Sequence, residues 1–269
     1  MDVLIKKSIP NFITLSNLFL GFTSLVLLSL SLSESTDHIT TACYLILISC
    51  VLDSLDGKVA RKLNISSEFG KEIDSLADLI SFCLVPSFLI FIHYKSIFPD
   101  AINLLTLIFL SSFPLILGSI RLAKYNALKE MRDSEKYLGL PTPANAIFIC
   151  SLILFTYNIP YREFFKSDIQ IFNSLNEMLA IIFNNKFLIL YFSLISSILL
   201  LSKVNYEKFP LISFKINKKN NIDLVKIIIF LIILFFSIIF KSSDIVLLLF
   251  VSFYIFGNLL KYLFNSIKG

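Results

Sequence analysis

Four aspartates stand at spacings that metal chemistry explains better than folding does. Asp53 and Asp56 lie three residues apart, and Asp74 and Asp78 four, so on helices each pair shares a face. Gly57 and Ala60 continue the first stripe, and Gly70 begins the second. Two carboxylates from each helix then face one another across the short turn Asn64 to Glu68. Like charges ~5 Å apart repel by roughly 3 kcal/mol per pair at an effective dielectric near ~20, and the edge of a hydrocarbon layer adds a desolvation cost. A cation must offset this. Hard carboxylate oxygens suit Mg²⁺, Mn²⁺ or Ca²⁺, and Mg²⁺ or Mn²⁺ commonly bind through carboxylates together with substrate phosphates. Gly57 gives up about 1 kcal/mol of helix propensity relative to alanine. With Ala60 it leaves room for a large ligand to reach the helix backbone. Helix capping, or pairing with Lys58, Arg61, Lys62 and Lys71, would account for one such aspartate but not for four on facing stripes. An EF-hand is excluded, because its loop needs alternating ligands and a closing glutamate, whereas this segment reads as helix.

The helices that carry these acids belong to a membrane protein. Of 269 residues, 56% are hydrophobic, above the roughly 45–50% of soluble domains, and the mean hydropathy is +0.81. Apolar runs at 12–32, 101–120, 187–201, 224–240 and 245–260 carry almost no charge, and each approaches the ~20 residues that cross hydrocarbon. Shorter runs at 40–52, 76–92 and 141–157 reach that length with their polar ends, which predicts an all-α polytopic bundle of about eight transmembrane helices. No cleavable signal peptide is expected, since the first run follows Lys6 and Lys7 and continues without a small-residue cleavage pattern. Cys43, Cys50, Cys83 and Cys150 fall inside apolar runs with no Cys-x-x-Cys pair, and read as buried small hydrophobes.

With both termini on one side, 19 of the 24 Lys and Arg residues gather there and 5 on the other. The positive-inside rule makes the richer side cytoplasmic and puts the four aspartates on it. The poorer side holds His38, His93 and the segment Tyr157 to Lys186. Within that segment, Ile169 to Ile182 has apolar residues at helical spacing and is expected to lie on the membrane surface. The basic loop Lys203 to Asp223 reads as a topology signal or as an attraction to anionic headgroups. The chain is expected to be a single domain, 1–269, with a catalytic core at about 8–203 and two additional spans within 224–264.

From Asp53 to Asp78 the chain reads D-x-x-D-G-x-x-A-R-x(8)-G-x(3)-D-x(3)-D, met by Asp53, Asp56, Gly57, Ala60, Arg61, Gly70, Asp74 and Asp78. This resembles the signature of the CDP-alcohol phosphatidyltransferases, without a departure in type or spacing. The resemblance implies two divalent ions, Mg²⁺ or Mn²⁺, bridging the aspartates and the pyrophosphate of a CDP-linked lipid. It implies that Asp78 is both metal ligand and the base that deprotonates the acceptor hydroxyl, with CMP expelled. It places CDP-lipid contacts on Pro10, Asn11, Gly57, Ala60, Arg61, Ser67 and Gly70. It also implies a homodimer in the cell's inner membrane, with small-molecule substrates and no nucleic acid as partners.

The choice of acceptor rests on the flanking helices. Asn11, Thr14, Asn17 and Gly21 form a polar or small stripe on the first span, which reads as helix packing or as ligand contact. The opening Ile9 to Asn17, with Arg121 to Asn126 and Tyr137 to Ala144, is similar to the bacterial phosphatidylserine synthase branch, implying CDP-diacylglycerol and L-serine as substrates. Serine is a zwitterion and needs a cation for its carboxylate. Arg121, supported by Asn126, is the candidate, with Asn17 as a further contact; Arg121 as a mere positive-inside anchor is the alternative. Glycerol 3-phosphate or inositol phosphate as acceptor, and a divalent-cation transporter, are the competing readings. Transport is disfavoured because the acids gather at one face and no inverted repeat is evident.

Overall fold

The computed structural model describes residues 3–32, 37–63, 67–97, 102–128, 136–158, 187–207 and 243–268, without the side chains of residues 3–7, 60–62, 97, 158, 243, 267 and 268. The expected span 224–240 and the surface helix within 169–182 lie outside them. The helices are α1 (Val3–Leu30), α2 (Asp37–Lys62), α3 (Glu68–Asp78), α4 (Val85–Ile97), α5 (Leu104–Ser111), α6 (Phe113–Ala127), α7 (Thr142–Asn158), α8 (Leu188–Leu199) and α9 (Ser243–Lys268). A π-helical turn, Leu79–Leu84, joins α3 to α4 as one long rod. Among the described residues, five stretches have the length and apolarity to cross a membrane: Ser8–Leu30, Asp37–Val59, Glu68–Ser96, Leu104–Ala127 and Asp244–Ser266. The shorter Thr142–Tyr157 and Leu188–Leu199 are also apolar helices. The chain is a polytopic integral membrane protein.

Several hydroxyl groups within these apolar helices satisfy themselves locally. Ser16, Thr23 and Ser24 donate to the carbonyls of Phe12, Phe19 and Leu20, four residues back, which spares the lipid-facing helix an unpaired polar group. Packing supplies the rest. One apolar core joins α1, α2, α4 and α7 through Leu28, Ile46, Leu89, Ile149 and Ile153, and a second joins α7, α8 and α9 through Phe148, Leu199 and Val251. α7 is buried nearly all round and forms the centre of the bundle. All four cysteines are free and buried, as their apolar surroundings predict.

The π turn is held between two glycines. A Cβ on Gly21 of α1 would collide with Ser81 and come within 3.2 Å of its Cα, while one on Gly118 of α6 would collide with Cys83. The loss of both side chains lets α1 and α6 close on the rod immediately after Asp78. Where the Leu104–Ala127 span breaks at Ser112, the Leu115 N–H donates to Ser87 Oγ of α4 at 2.9 Å, which meets a donor that the break would otherwise leave without its helical partner.

The all-α expectation is amended at one place. β1 (Lys136–Leu138) and β2 (Asn205–Glu207) pair antiparallel, with Tyr137 opposite Tyr206. Gly139 ends β1 at φ +76, and its N–H donates to the Val204 carbonyl at 2.9 Å. A left-handed residue flush against Leu200 leaves room only for glycine. His93, near the end of the rod opposite the aspartates, is buried, edge-on to Tyr94 and Tyr157.

Candidate active site

The end of α2 and the start of α3 bring the acids together as their spacing predicts. One carboxylate oxygen each from Asp53, Asp56 and Asp74 lies within 4.8 Å of the other two. Asp78, one turn beyond Asp74, has its carboxyl group within hydrogen-bonding reach of Asp53. Oδ1 of Asp74 and Oδ1 of Asp78 are buried without a hydrogen-bond partner. Lys71, considered as a partner for the aspartates, pairs instead with Glu68 at 2.7 Å. Buried carboxylate oxygens left unmatched by protein donors, in an all-oxygen set, fit a hard divalent cation. Asp53, Asp56, Asp74 and Asp78 are therefore the residues that could hold it.

α1 supplies a support that the acidic spacing alone does not reveal. Thr14 Oγ1 lies 2.7 Å from Asp56 Oδ2 and 3.1 Å from the Pro10 carbonyl. Its single proton serves one acceptor at a time, and an ionised carboxylate is the stronger one. Asp56 is only 5% exposed, so this donor fixes the orientation of a ligand that water scarcely reaches. The clue in the sequence was the stripe Asn11, Thr14, Asn17, which put a hydroxyl on the face that meets α2.

Beside the acids, the entry to α3 is built tightly. Ser67 caps the helix by accepting the Gly70 N–H at 3.0 Å, the usual way to satisfy a first-turn donor. A Cβ on Gly70 would sit 3.1 Å from Ser67 Oγ and 3.3 Å from Asn11 Oδ1. Three of the expected CDP-lipid contacts, Asn11, Ser67 and Gly70, thus converge. Pro10 joins them through Thr14, and Gly57 follows Asp56 on α2. Of Ala60 and Arg61 only the helical backbone is described.

The expected acceptor contacts separate. Arg121, on α6, is 6% exposed and lies within electrostatic range of Asp78 and of Tyr125 and Tyr137; its Nε has no hydrogen-bond partner. Asn126 Nδ2 donates to Ser75 Oγ at 2.8 Å, tying the end of α6 to the residue after Asp74. Asn17 is wholly buried as a clamp: its Oδ1 accepts from Ser49 at 2.8 Å and its carbonyl accepts from Ser81 at 3.1 Å. Those bonds join α1 to α2 and to the π turn, in keeping with the helix-packing reading of the stripe.

Residues 7–199 match the sequence model of the CDP-alcohol phosphatidyltransferase family. The chain belongs to this family. Its reaction is therefore that of a CDP-alcohol phosphatidyltransferase, a phospholipid-synthesising transferase of membranes. The chain is 27% identical over 259 residues to the CDP-diacylglycerol--serine O-phosphatidyltransferase of Helicobacter pylori, covering 96% of this chain and 92% of that one. It is 33% identical over 178 residues to the enzyme of the same name from Saccharomyces cerevisiae, covering 61% and 62%. With the archaetidylserine synthase of Methanothermobacter thermautotrophicus it shares 35% identity over 152 residues, covering 55% and 58%. In this CDP-alcohol phosphatidyltransferase the four aspartates and the groups that support them come from α1 to α3, and α6 brings a buried cation near Asp78.

Proposed function

We propose that this transferase moves the phosphatidyl group of CDP-diacylglycerol to L-serine, giving phosphatidylserine and CMP. The observation that carries the acceptor is Arg121, a buried guanidinium with an unpartnered Nε next to Asp78. A buried cation with a free donor suits the carboxylate of an amino acid, by a charge-assisted hydrogen bond. The serine-specific names of the Helicobacter and yeast relatives agree with it. A sugar phosphate or glycerol phosphate would call for more arginines converging on the aspartates.

In this reading Asp53, Asp56, Asp74 and Asp78 hold two divalent ions, Mg²⁺ or Mn²⁺. Metal bound there neutralises charge that builds on the phosphoryl oxygens and on the departing CMP. Thr14 keeps Asp56 in place. Pro10, Asn11, Gly57, Ala60, Arg61, Ser67 and Gly70 line the CDP-lipid, with the small residues admitting its bulk. Asp78 takes the proton from the serine hydroxyl, whose oxygen attacks the lipid-side phosphorus as the bond to CMP breaks. Asn126 holds the end of α6 against α3 and so sets where Arg121 stands; Asn17 acts from further away through α1.

At the level of the whole chain we infer one domain with a catalytic core at about 8–203 and two further spans within 224–264, working as a homodimer in the inner membrane. Both termini and the aspartates face the cytoplasm. The test of the acceptor is CMP release by the purified full chain with CDP-diacylglycerol, Mn²⁺ and each of L-serine, glycerol 3-phosphate and inositol phosphate. Release that depends on serine is expected. Release with glycerol 3-phosphate but not serine would sink the assignment.

A further inference from the structure

A buried polar atom without a protein partner gives up its hydration for nothing, so such atoms gathered in one region mark where a ligand completes the bonding. Among the described residues, Oγ1 of Thr142 and both Oδ1 and Nδ2 of Asn145 are buried and unpartnered, as is Nε of Arg121. Thr142 is 1% exposed and Asn145 0%. The metal accounts for the orphaned aspartate oxygens and the acceptor carboxylate for Arg121. Neither accounts for Thr142 or Asn145.

Their position in the bundle says what could. Lying three residues apart at the start of α7, the two side chains share a face. That end of the helix is fixed from two sides. The Pro143 carbonyl lies 3.9 Å from Cys50 Sγ, one turn before Asp53 on α2. Thr142 Cγ2 lies 3.7 Å from the place a Cβ on Gly118 would take, one turn before Arg121 on α6. α7 also packs on the π turn that follows Asp78. The start of α7 therefore adjoins, from the interior of the bundle, the space bounded by the aspartates and Arg121.

We propose that Thr142 and Asn145 are acceptor-recognition residues that receive the ammonium group of a small zwitterionic amino alcohol while Arg121 holds its carboxylate. The ammonium brings N–H donors, matching Asn145 Oδ1 and Thr142 Oγ1, and the oxygens of the same amino alcohol offer acceptors to Asn145 Nδ2. The neighbouring carboxylates favour a cation there and disfavour a second anionic group. A glycerol phosphate or inositol phosphate has nothing to offer this pair that a hydroxyl elsewhere could not take. The assignment rests on the serine reading above and refines it by naming what distinguishes serine from other alcohols.

The test uses the purified full chain with CDP-diacylglycerol and Mn²⁺, comparing Thr142→Val, Thr142→Ser and Asn145→Leu with the unaltered protein by CMP release and thermal unfolding. Loss of a hydrogen bond to a charged group predicts a KM for L-serine about ten-fold higher or more in Thr142→Val and Asn145→Leu, with the KM for CDP-diacylglycerol within about two-fold. Their Tm should stay level or rise, because an unmet polar group is replaced by an apolar one of similar size. Thr142→Ser, which keeps the hydroxyl, should restore the serine KM lost in Thr142→Val. An unchanged serine KM, an equal rise in both KM values, or a rise that Thr142→Ser fails to reverse overturns the assignment. If the unaltered protein ignores serine, the acceptor reading itself falls; if it uses serine while the variants keep its KM, only the roles of Thr142 and Asn145 fall.

Discussion

At the scale of single residues, the site is a set of carboxylates whose mutual repulsion is tolerable only with a cation present, and Thr14 decides how one of them is aimed. Removing an outer hydrogen bond to a metal ligand weakens metal binding or activity by roughly 10–100-fold. Thr14→Val should therefore raise the Mn²⁺ concentration needed for half-maximal CMP release by about that factor, and Thr14→Ser should recover most of it. A metal titration of the two variants checks this; equal dependence in both would mean Thr14 only packs. Tyr206 makes the opposite kind of case. Its side chain is fully buried, its hydroxyl is unpartnered, and burial pushes the phenol up to about 12, so the group stays neutral through any working pH. Tyr206→Phe should leave the Tm level or raise it, because the substitution removes an unmet hydroxyl without opening a cavity. A clear fall in Tm would mean that the hydroxyl is bonded after all.

At the scale of elements, the decisive contact is the closure of α1 and α6 on the π turn, since that closure sets where Asp78 and Arg121 stand. Gly118→Ala puts a methyl group against Cys83, and overpacking of this kind costs about 1–3 kcal/mol. The Tm in detergent should fall, and Cys83→Ala, by removing Sγ, should recover much of the loss in the double variant. Additive losses would show that the two residues do not meet. Sequence reading went far at this scale where periodicity governs. Asp53, Asp56, Asp74 and Asp78 were legible as facing pairs because helical spacing alone aligns them. The π turn was not, because no residue in Leu79–Leu84 announces it; it exists through Gly21 and Gly118, which come from other helices. The β1–β2 ribbon joins segments far apart in the chain, a pairing that no local pattern of residues displays. Thr142 falls within the stretch Tyr137 to Ala144 and Asn145 just beyond it, and nothing in their types or spacing shows that both are buried without partners.

For the whole molecule, the apolar spans were readable from length and hydropathy, while orientation rests on the distribution of Lys and Arg. The four native cysteines are buried, so introduced ones can be probed against a quiet background. Lys71, exposed on the aspartate side, and Lys95, exposed near the opposite end of the same rod, give the sharpest contrast. In intact cells a membrane-impermeant maleimide should label Lys95→Cys and spare Lys71→Cys; the reverse pattern would invert the topology. The central claim, that phosphoryl transfer takes place at the aspartate site with Asp78 as base, is tested most directly by CMP release from Asp78→Asn, with retention of CDP-diacylglycerol measured on the same preparation. The account predicts turnover lower by about 10²–10⁴-fold, the usual contribution of a general base, with the CDP-lipid still bound. Turnover within a few-fold of the unaltered protein, or loss of lipid binding as complete as the loss of turnover, would contradict it.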